Sequence, residues 1–265
     1  MLNDLIMSFE NPPEIIDVNN NNVDEVGFFC LMSRKRSEGY QRKLKWLRDR
    51  FDEGMKIKML KLPERGFIEY IPGEYAWRPV EAKGYMFIHC LWVVGKSKGK
   101  GHATLLLNEC VEDAIKADMT GVAIATTPGN WLIGRKLFEQ NGFESVDQAP
   151  PAFELMVKKF RDSESPRFSG SWEEKMSRCG KGLTIFRSNQ CPYLEDAVNF
   201  FSETSDQLDI PIKVVELTNA EDVRKLAPTG YGVFNVVYDG KPFSYHYLLK
   251  KDILKRLSPS LEKGL

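Results

Sequence analysis

The feature that most constrains the fold is a nearly unbroken apolar run, Tyr85–Val93, which leads directly into a glycine-rich turn. A run of this length and composition is typical of a strand at the centre of a sheet, covered on both faces. After the turn, apolar residues from Ala103 onward recur at steps of three and four, which predicts an amphipathic helix. Together the strand, turn and helix predict a mixed α/β fold.

Further elements are predicted around this unit. Asn22 can cap a short helix, and Pro63–Gly66 is a hairpin-like turn between two strands. A second helix is predicted from the helical spacing of its apolar residues, Tyr40, Leu44, Leu47 and Phe51. The other strands expected in this half are Ile15–Val18, Ile57–Leu62, Phe67–Ile71, Gly121–Ala125 and Phe153–Val157, and a later helix is expected at Trp131–Gln140.

A polar segment divides the chain. Between Arg161 and Lys181, the runs Asp162–Pro166 and Ser169–Ser171 interrupt every apolar period. A chain of 265 residues has room for two domains. We therefore predict a first domain over residues 1–160, a linker over 161–181 and a second domain over 182–265.

The second half has the element order βαβαββα. Strands are expected at Leu183–Arg187 and Ile212–Leu217, on either side of a helix, and Asp239-Gly240 is a two-residue hairpin signal between the last two strands. This order is that of a thioredoxin-like domain. We therefore expect a small thioredoxin-like α/β domain after the linker.

Charge and cysteine content exclude several classes of protein. The 37 Lys and Arg balance the 37 Asp and Glu, so no global field favours a nucleic-acid or membrane partner. The charge-free run Gly84–Gly95 is too short for the roughly 20 residues that cross a bilayer. The five cysteines contain no C-x-x-C pair, which fits neither a disulfide framework nor a zinc site. We expect a cytoplasmic protein that binds no metal.

Two familiar phosphate-binding motifs do not fit the glycine-rich turn. Gly95-Lys96-Ser97 ends like a Walker A motif, but the first glycine of that motif would fall on Cys90, inside the strand. Gly99-x-Gly101 begins like a dinucleotide fingerprint, but Thr104 occupies the third glycine position. The turn is therefore neither a nucleoside-triphosphate loop nor a dinucleotide loop.

A third pattern does fit. Lys98-x-x-Gly101-x-Ala103 resembles the Q/R-x-x-G-x-G/A signature of the GNAT acetyltransferases, with Lys for the usual Gln or Arg. Downstream, Gly134–Phe143 is similar to the family's A-x-x-L-Y-x-x-x-G-F, with Gly for Ala and Phe for Tyr. Nearly the whole chain resembles GNAT proteins that carry a C-terminal, thioredoxin-like domain of the YoaP type.

The resemblance implies acetyl-CoA as the co-substrate. Glycines and the amides at a helix N-terminus can hold the pyrophosphate of coenzyme A without a metal. It also implies that the thioester lies where Tyr85–Val93 and the strand beginning at Gly121 splay apart. The residues implied in cofactor binding are Leu91, Trp92, Val93, Lys98, Gly99, Lys100, Gly101, His102, Ala103, Thr104, Asn130 and Phe138.

The resemblance also implies direct attack by an amine, of a small molecule or a peptide, in a ternary complex. Phe138 stands where the family has the Tyr that protonates the leaving thiolate, so another Tyr such as Tyr70 or Tyr85, or water, would have to serve. By period two, His89 shares a strand face with Tyr85, Phe87, Leu91 and Val93, which makes it the candidate general base. Glu69 is the second candidate.

Cys191 opens a separate hypothesis. Cys191-Pro192-Tyr193 resembles the C-P-Y-C of glutaredoxin and precedes a helix, where the dipole and free amides lower a thiol pKa. The second cysteine is replaced by Leu194, which excludes an internal dithiol cycle and leaves Cys191 as a candidate reactive monothiol. Two functions follow: an acetyl-CoA-dependent N-acetyltransferase, or a redox or protein-docking module whose N-terminal domain senses acyl-CoA.

Overall fold

The computed structural model describes residues 12–128 and 132–262. Within these residues the first half of the chain forms one large sheet, with the strand order β1-β2-β3-β5-β6-β8-β7. All its neighbouring strands are antiparallel except β5 and β6, which are parallel. The strands are β1 (Ile15–Val18), β2 (Lys56–Leu60), β3 (Gly66–Pro72), β5 (Tyr85–Val93), β6 (Gly121–Thr126), β7 (Glu144–Ala149) and β8 (Phe153–Lys159).

Helices cover both faces of this sheet. On one face, α3 (His102–Lys116) buries Leu106, Leu107 and Cys110 against β3, β5 and β6. The other face packs against α2 (Glu38–Asp52), whose buried stripe includes Tyr40 and Leu47. Two short helices, α1 (Val23–Val26) and α4 (Lys136–Gln140), complete this half.

The second half contains a four-stranded sheet with the order β11-β10-β12-β13 among the described residues. β10 is parallel to β11 and antiparallel to β12, and β12 is antiparallel to β13. Asp239 and Gly240 both have positive φ in the tight turn between β12 and β13, as the hairpin signal predicted. The elements are β10 (Leu183–Arg187), α6 (Leu194–Leu208), β11 (Ile212–Glu216), α7 (Ala220–Leu226), β12 (Phe234–Tyr238), β13 (Lys241–Ser244) and α8 (Lys250–Glu262).

The segment 161–181 is folded, contrary to its prediction as a linker. It contains β9 (Arg167–Phe168), which pairs with β4 (Val80–Glu81), and the helix α5 (Trp172–Ser177). Phe168 is buried in the main core and stacks edge-on against Trp172. The boundary was predicted here from polar residues alone. Two aromatic side chains, Phe168 and Trp172, nevertheless pack this segment against the rest of the protein.

The sequence predicted the strands with an apolar pattern well and missed a polar one. Ile15–Val18 and Tyr85–Val93 have the predicted bounds. β7 was missed because its sequence, ESVDQA, is polar and lies at the sheet edge, where no apolar alternation is needed. Of the helix expected at Trp131–Gln140, the described residues show only the shorter helix α4, which begins at Lys136. No helix among the described residues is long and apolar enough to cross a bilayer.

The two halves share one hydrophobic core. It joins Phe28, Tyr40 and Phe153 from the first half to Phe201 and Phe234 from the second. The contact between the halves is close enough to require glycine. A Cβ on Gly39, in α2, would lie 2.0 Å from the backbone oxygen of Pro192, and one on Gly230 would lie 2.9 Å from the Phe153 ring.

We predict that Gly39→Ala destabilises the protein by about 1–3 kcal/mol, because the new methyl group would overlap the Pro192 carbonyl. Helix propensity acts in the opposite direction, since alanine is favoured over glycine by about 1 kcal/mol. Urea unfolding followed by tryptophan fluorescence measures the difference. Gly134→Ala is the control for an added methyl group without a clash, because no atom lies within 4 Å of the added Cβ at this position outside a helix. Equal or greater stability of Gly39→Ala would contradict the contact between the halves.

Candidate active site

The site lies where β5 is irregular. The register between β3 and β5 shifts, so that Glu69 pairs with Cys90 but Tyr70 pairs with Ile88. His89 is the extra residue of this β-bulge, and it reverses the alternation of side chains along the strand. Phe87 therefore belongs to one core and Leu91 to the other, and the predicted common face of Tyr85–Val93 by period two is wrong.

Beyond the bulge, β5 separates from β6. The two strands pair in parallel from Tyr85 opposite Gly121 to Ile88 opposite Ile124, and no further. Both strands nevertheless continue, β5 to Val93 and β6 to Thr126. The two strands thus diverge before either of them ends.

A cavity of about 490 Å³ opens beside this divergence. Its walls come from both halves of the chain. They are formed by Cys30, Lys43, Phe67, Glu69, Arg78, His89, Cys90, Leu91, Trp92, Ile124, Leu132 and Ile133 of the first half and by Gln190, Cys191, Pro192, Tyr193, Tyr231 and Val233 of the second.

A buried ion pair lies in the cavity wall. Lys43 Nζ on α2 donates to Glu69 Oε2 on β3 at 2.6 Å and to the backbone oxygen of Gln190 at 2.8 Å. Gln190 Nε2 in turn donates to Glu69 Oε1 at 3.2 Å. Burial alone would lower the pKa of Lys43, but the Glu69 charge raises it above its ordinary value. Lys43 and Glu69 are therefore both charged at neutral pH.

Arg78 extends this network between the halves. Its Nη1 donates to Gln190 Oε1 at 2.6 Å and to the Trp77 carbonyl at 2.8 Å, and its Nη2 donates to the His89 carbonyl at 2.8 Å. The guanidinium also lies 5.3 Å from the centre of the Tyr231 ring. Arg78 thus fixes the bulge and the loop before α6 relative to each other.

The prediction of His89 as the general base is contradicted by its hydrogen bonding. Nε2 accepts the backbone N–H of Trp77 at 2.9 Å, so the lone pair that a base needs is already used. Burial, with the nearby Arg78 charge, lowers the pKa of His89 to about 4. Nδ1 carries the ring proton and faces Glu69 Oε1 at 3.5 Å, too far for an ordinary hydrogen bond. His89 is a neutral core histidine that positions the bulge.

Glu69, the second candidate base, is also committed to structure. Burial would raise its pKa, but the Lys43 charge lowers it to about 2. A carboxylate that holds its charge so strongly is a poor proton acceptor. Glu69 lines the cavity, but its described contacts position Lys43 and Gln190.

Tyr70 lies on the other side of the sheet. Its hydroxyl donates to Asp113 Oδ2 on α3 at 2.6 Å, and its side chain belongs to the core beneath that helix. Tyr85 hydrogen-bonds Ser163 and the Glu164 carbonyl. Neither tyrosine lines the cavity, so the prediction that Tyr70 is catalytic is wrong. The bulge between Glu69 and Tyr70 could not be foreseen from apolar spacing.

The glycine-rich turn places two glycines of left-handed conformation directly before α3. Gly99 and Gly101 have φ of +76° and +81°, a region favoured by glycine, and Gly101 is the N-cap residue of α3. The first amides of α3 follow, at His102, Ala103 and Thr104, and an α-helix gives such amides no acceptor of its own. Lys98 is exposed, and no atom lies within 4 Å of a Cβ built on Gly99, so the turn is open on this side.

The other residues predicted to bind the cofactor differ in position. Leu91 and Trp92 line the cavity, whereas Val93 does not. Lys100 forms a 2.6 Å ion pair with Glu64. Asn130 lies outside the described residues. Phe138 is completely buried and packs edge-on against Phe143, so its prediction as a cofactor contact is wrong.

Cys191 lies in the cavity wall rather than at an exposed helix end. Burial raises the pKa of its thiol, although the backbone N–H of Tyr193 acts in the opposite direction. The predicted lowering of this pKa is therefore wrong, because α6 begins only at Leu194 and desolvation outweighs its dipole. Cys191 also shares the cavity with Glu69, so the two halves are not chemically separate.

Several cavity residues were missed by sequence reasoning. One signal was available: Lys43 lies three residues after Tyr40 and four before Leu47, within the apolar stripe of α2. Arg78 and Tyr231 lie outside any periodic pattern, and Gln190 was noted only as part of a loop. Their role depends on the packing of the two halves, which no local pattern encodes.

Comparison with known proteins identifies the class. No family model matches the chain. The chain is 31% identical over 250 residues to "Uncharacterized N-acetyltransferase YoaP" of Bacillus subtilis (strain 168), covering 93% of this chain and 98% of the relative. The chain therefore belongs to the family of N-acetyltransferases that includes YoaP, and it is an enzyme of the acyltransferase class. Acetyl-CoA is the co-substrate of that class.

Solved structures are also similar to part of the chain. Ribosomal-protein-alanine N-acetyltransferase from Brucella melitensis is 16% identical, with a TM-score of 0.42, over 56% of this chain and 99% of that one. PaiA N-acetyltransferase from Thermoplasma acidophilum, in complex with coenzyme A, is 16% identical, with a TM-score of 0.38, over 57% and 100%. These scores are too low to support an argument, so the family assignment depends on YoaP.

We predict that His89 makes the stability of the protein pH-dependent. Its pKa is about 4 when folded and 6.5 when unfolded, so the unfolded state binds the proton first as pH falls. The stability contributed by neutral His89 is complete above pH 6.5 and is lost towards pH 4. Urea unfolding at pH 7 and pH 5 should show that the wild type loses about 2 kcal/mol more than His89→Gln.

The glutamine keeps an acceptor for the Trp77 amide but does not titrate, which makes it the matched comparison. Equal losses of stability in the wild type and in His89→Gln would mean that His89 of the folded protein is already protonated at pH 5.

Proposed function

We propose that the protein transfers the acetyl group of acetyl-CoA to an amine by direct attack in a ternary complex. The position of the cavity carries this proposal. It opens where β5 and β6 diverge, and β5 leads from there into the glycine-rich turn at the start of α3. A site for a thioester and a site for a pyrophosphate are thus joined by one strand.

The glycine-rich turn would hold the pyrophosphate. The N-terminal amides of α3 and its positive dipole end favour an anion, and Lys98 adds an exposed positive charge. Leu91 and Trp92 extend from this turn to the cavity, so the backbone of β5 beyond the bulge would polarise the carbonyl. Bound acetyl-CoA supplies an activated acetyl group and a thiolate that can leave.

Tyr231 is our candidate for the proton donor that Phe138 cannot be. It lines the cavity, and its hydroxyl has no hydrogen-bond partner among residues 12–128 and 132–262. Burial raises its pKa, so the hydroxyl is protonated at neutral pH. A protonated hydroxyl in the cavity can donate to a leaving thiolate.

The second half is proposed to be a thioredoxin-like domain over residues 182–265, following a GNAT domain over 1–160. The parallel β10–β11 pair and the order β11-β10-β12-β13 support this assignment. Its proposed role is to close the cavity with the loop around Cys191 and with Tyr231. The raised thiol pKa argues against a redox role. The cytoplasmic location stays a prediction.

We predict that acetyl-CoA raises the melting temperature of the wild type, because it binds only the folded turn. Gly101→Glu should abolish this shift by placing a side chain and a negative charge in the phosphate seat. Differential scanning fluorimetry measures it. Gly180→Glu is the control, because Gly180 is exposed and has a similar φ of +73° outside the turn. An unchanged shift in Gly101→Glu would refute the phosphate seat.

We further predict that Tyr231→Phe lowers kcat at least about tenfold, with KM for acetyl-CoA nearly unchanged. The phenylalanine keeps the ring beneath Arg78 and removes only the hydroxyl. Thiol release is followed with a chromogenic disulfide reagent. Tyr238→Phe is the control, because Tyr238 is at the far end of β12 and does not line the cavity. Wild-type kcat in Tyr231→Phe would assign the proton to water.

A further inference from the structure

Arg78 is a buried cation without an anionic partner. Its side chain is only 3% exposed, and its three hydrogen bonds end on two carbonyl oxygens and the Gln190 amide oxygen. No carboxylate among the described residues forms an ion pair with it. An isolated buried charge is costly, so buried guanidinium groups are ordinarily paired.

The rest of the cavity does not neutralise this charge. Lys43 and Glu69 form their own ion pair, and His89 is neutral. The remaining titratable groups in the wall have raised pKa values and are uncharged at neutral pH: Cys30, Cys90, Cys191, Tyr193 and Tyr231. The cavity therefore holds one unbalanced positive charge.

Arg78 also has N–H groups that are not used in these hydrogen bonds. The guanidinium carries five N–H groups, of which Nη1 uses two and Nη2 uses one. The Nε–H and the second Nη2–H have no acceptor among residues 12–128 and 132–262. Both are N–H donors on a charged group, of the kind that carboxylate oxygens accept.

We infer that the acetyl acceptor carries a carboxylate that pairs with Arg78, and that it is a small amino acid or a close derivative. This inference rests on the proposed function. The apolar walls formed by Phe67, Leu132 and Val233 favour an apolar side chain on that acceptor. A volume of about 490 Å³, shared with the acetyl end of the co-substrate, suits a small molecule better than a peptide.

The positive charge of Arg78 also bears on how the reaction proceeds without a general base from the protein. The attacking amine must be neutral, and neither His89 nor Glu69 is free to accept its proton. A nearby positive charge destabilises an ammonium ion and lowers its pKa. Arg78 therefore favours the neutral amine while it holds the carboxylate of the same molecule. Water can then take the proton.

The first test is binding, which needs no turnover. Protein saturated with coenzyme A is titrated by calorimetry with aliphatic and aromatic amino acids and with their carboxamides, which differ only at the carboxylate. At least one acid should bind about tenfold or more tightly than its amide. An acceptor panel in which no acid binds more tightly than its amide would overturn the inference.

The second test uses variants. Arg78→Met should abolish the preference for the acid, and Arg78→Lys should restore part of it, because lysine keeps the charge but not the fork. Arg50→Met is the matched control and should keep the preference. Arg50 is also partly buried and lies over the Trp77 ring, but it pairs with Glu53 and does not line the cavity. Retention of the preference in Arg78→Met would overturn the inference, and the wild-type titrations remain decisive if that variant does not fold.

Turnover distinguishes this inference from the function on which it rests. If acids and carboxamides consume acetyl-CoA at equal rates, the proposed N-acetyltransferase reaction stands and the role of Arg78 is refuted. Selective binding of acids without acetyl transfer to any amine would support the Arg78 site and refute the proposed reaction.

Discussion

The Lys43–Glu69 ion pair is the interaction on which the site depends. It joins α2 to β3 at 2.6 Å, and Lys43 also holds the backbone of Gln190 in the second half. Buried ion pairs contribute little net stability compared with apolar packing, but removal of one partner leaves a costly unpaired charge. Their value here is geometric, because Lys43 bonds Glu69 on β3 and the Gln190 carbonyl of the second half at the same time. Helix, sheet and loop are thereby set around one cavity.

The sequence was most informative where a single element determines its own pattern. The apolar run Tyr85–Val93 predicted its strand with the observed bounds, and the glycines at 99 and 101 predicted a turn that only their positive φ permits. The Asp239-Gly240 hairpin followed for the same reason. These patterns are local, since each is imposed by backbone sterics or by burial of the element itself.

Sequence reasoning was weaker where two distant segments meet. The catalytic role given to His89 assumed a regular strand, and the bulge reversed the alternation of side chains there. Tyr70 was chosen only as a tyrosine able to act as proton donor, and its side chain lies in the core beneath α3. The pKa expected for Cys191 assumed an exposed helix end, whereas packing of the halves buries the thiol. Arg78 and Tyr231 have no local signature, because they line a cavity that forms only when residues far apart in the chain enclose the same space. Register and long-range packing are not encoded in a window of neighbouring residues.

The shared cavity wall has a consequence for how such an enzyme can be altered. The glycine-rich turn, at 98–101, and much of the cavity wall, at 190–193, 231 and 233, lie in separate stretches of the sequence. Substitutions in the second half can reshape the cavity without changing the glycine-rich turn. Without the second half, Glu69, Arg78 and an apolar surface would be exposed to water. The cavity would therefore not stay enclosed in a chain shortened to its first sheet. Redesign of this scaffold should therefore retain the full chain and vary the wall contributed by the second half.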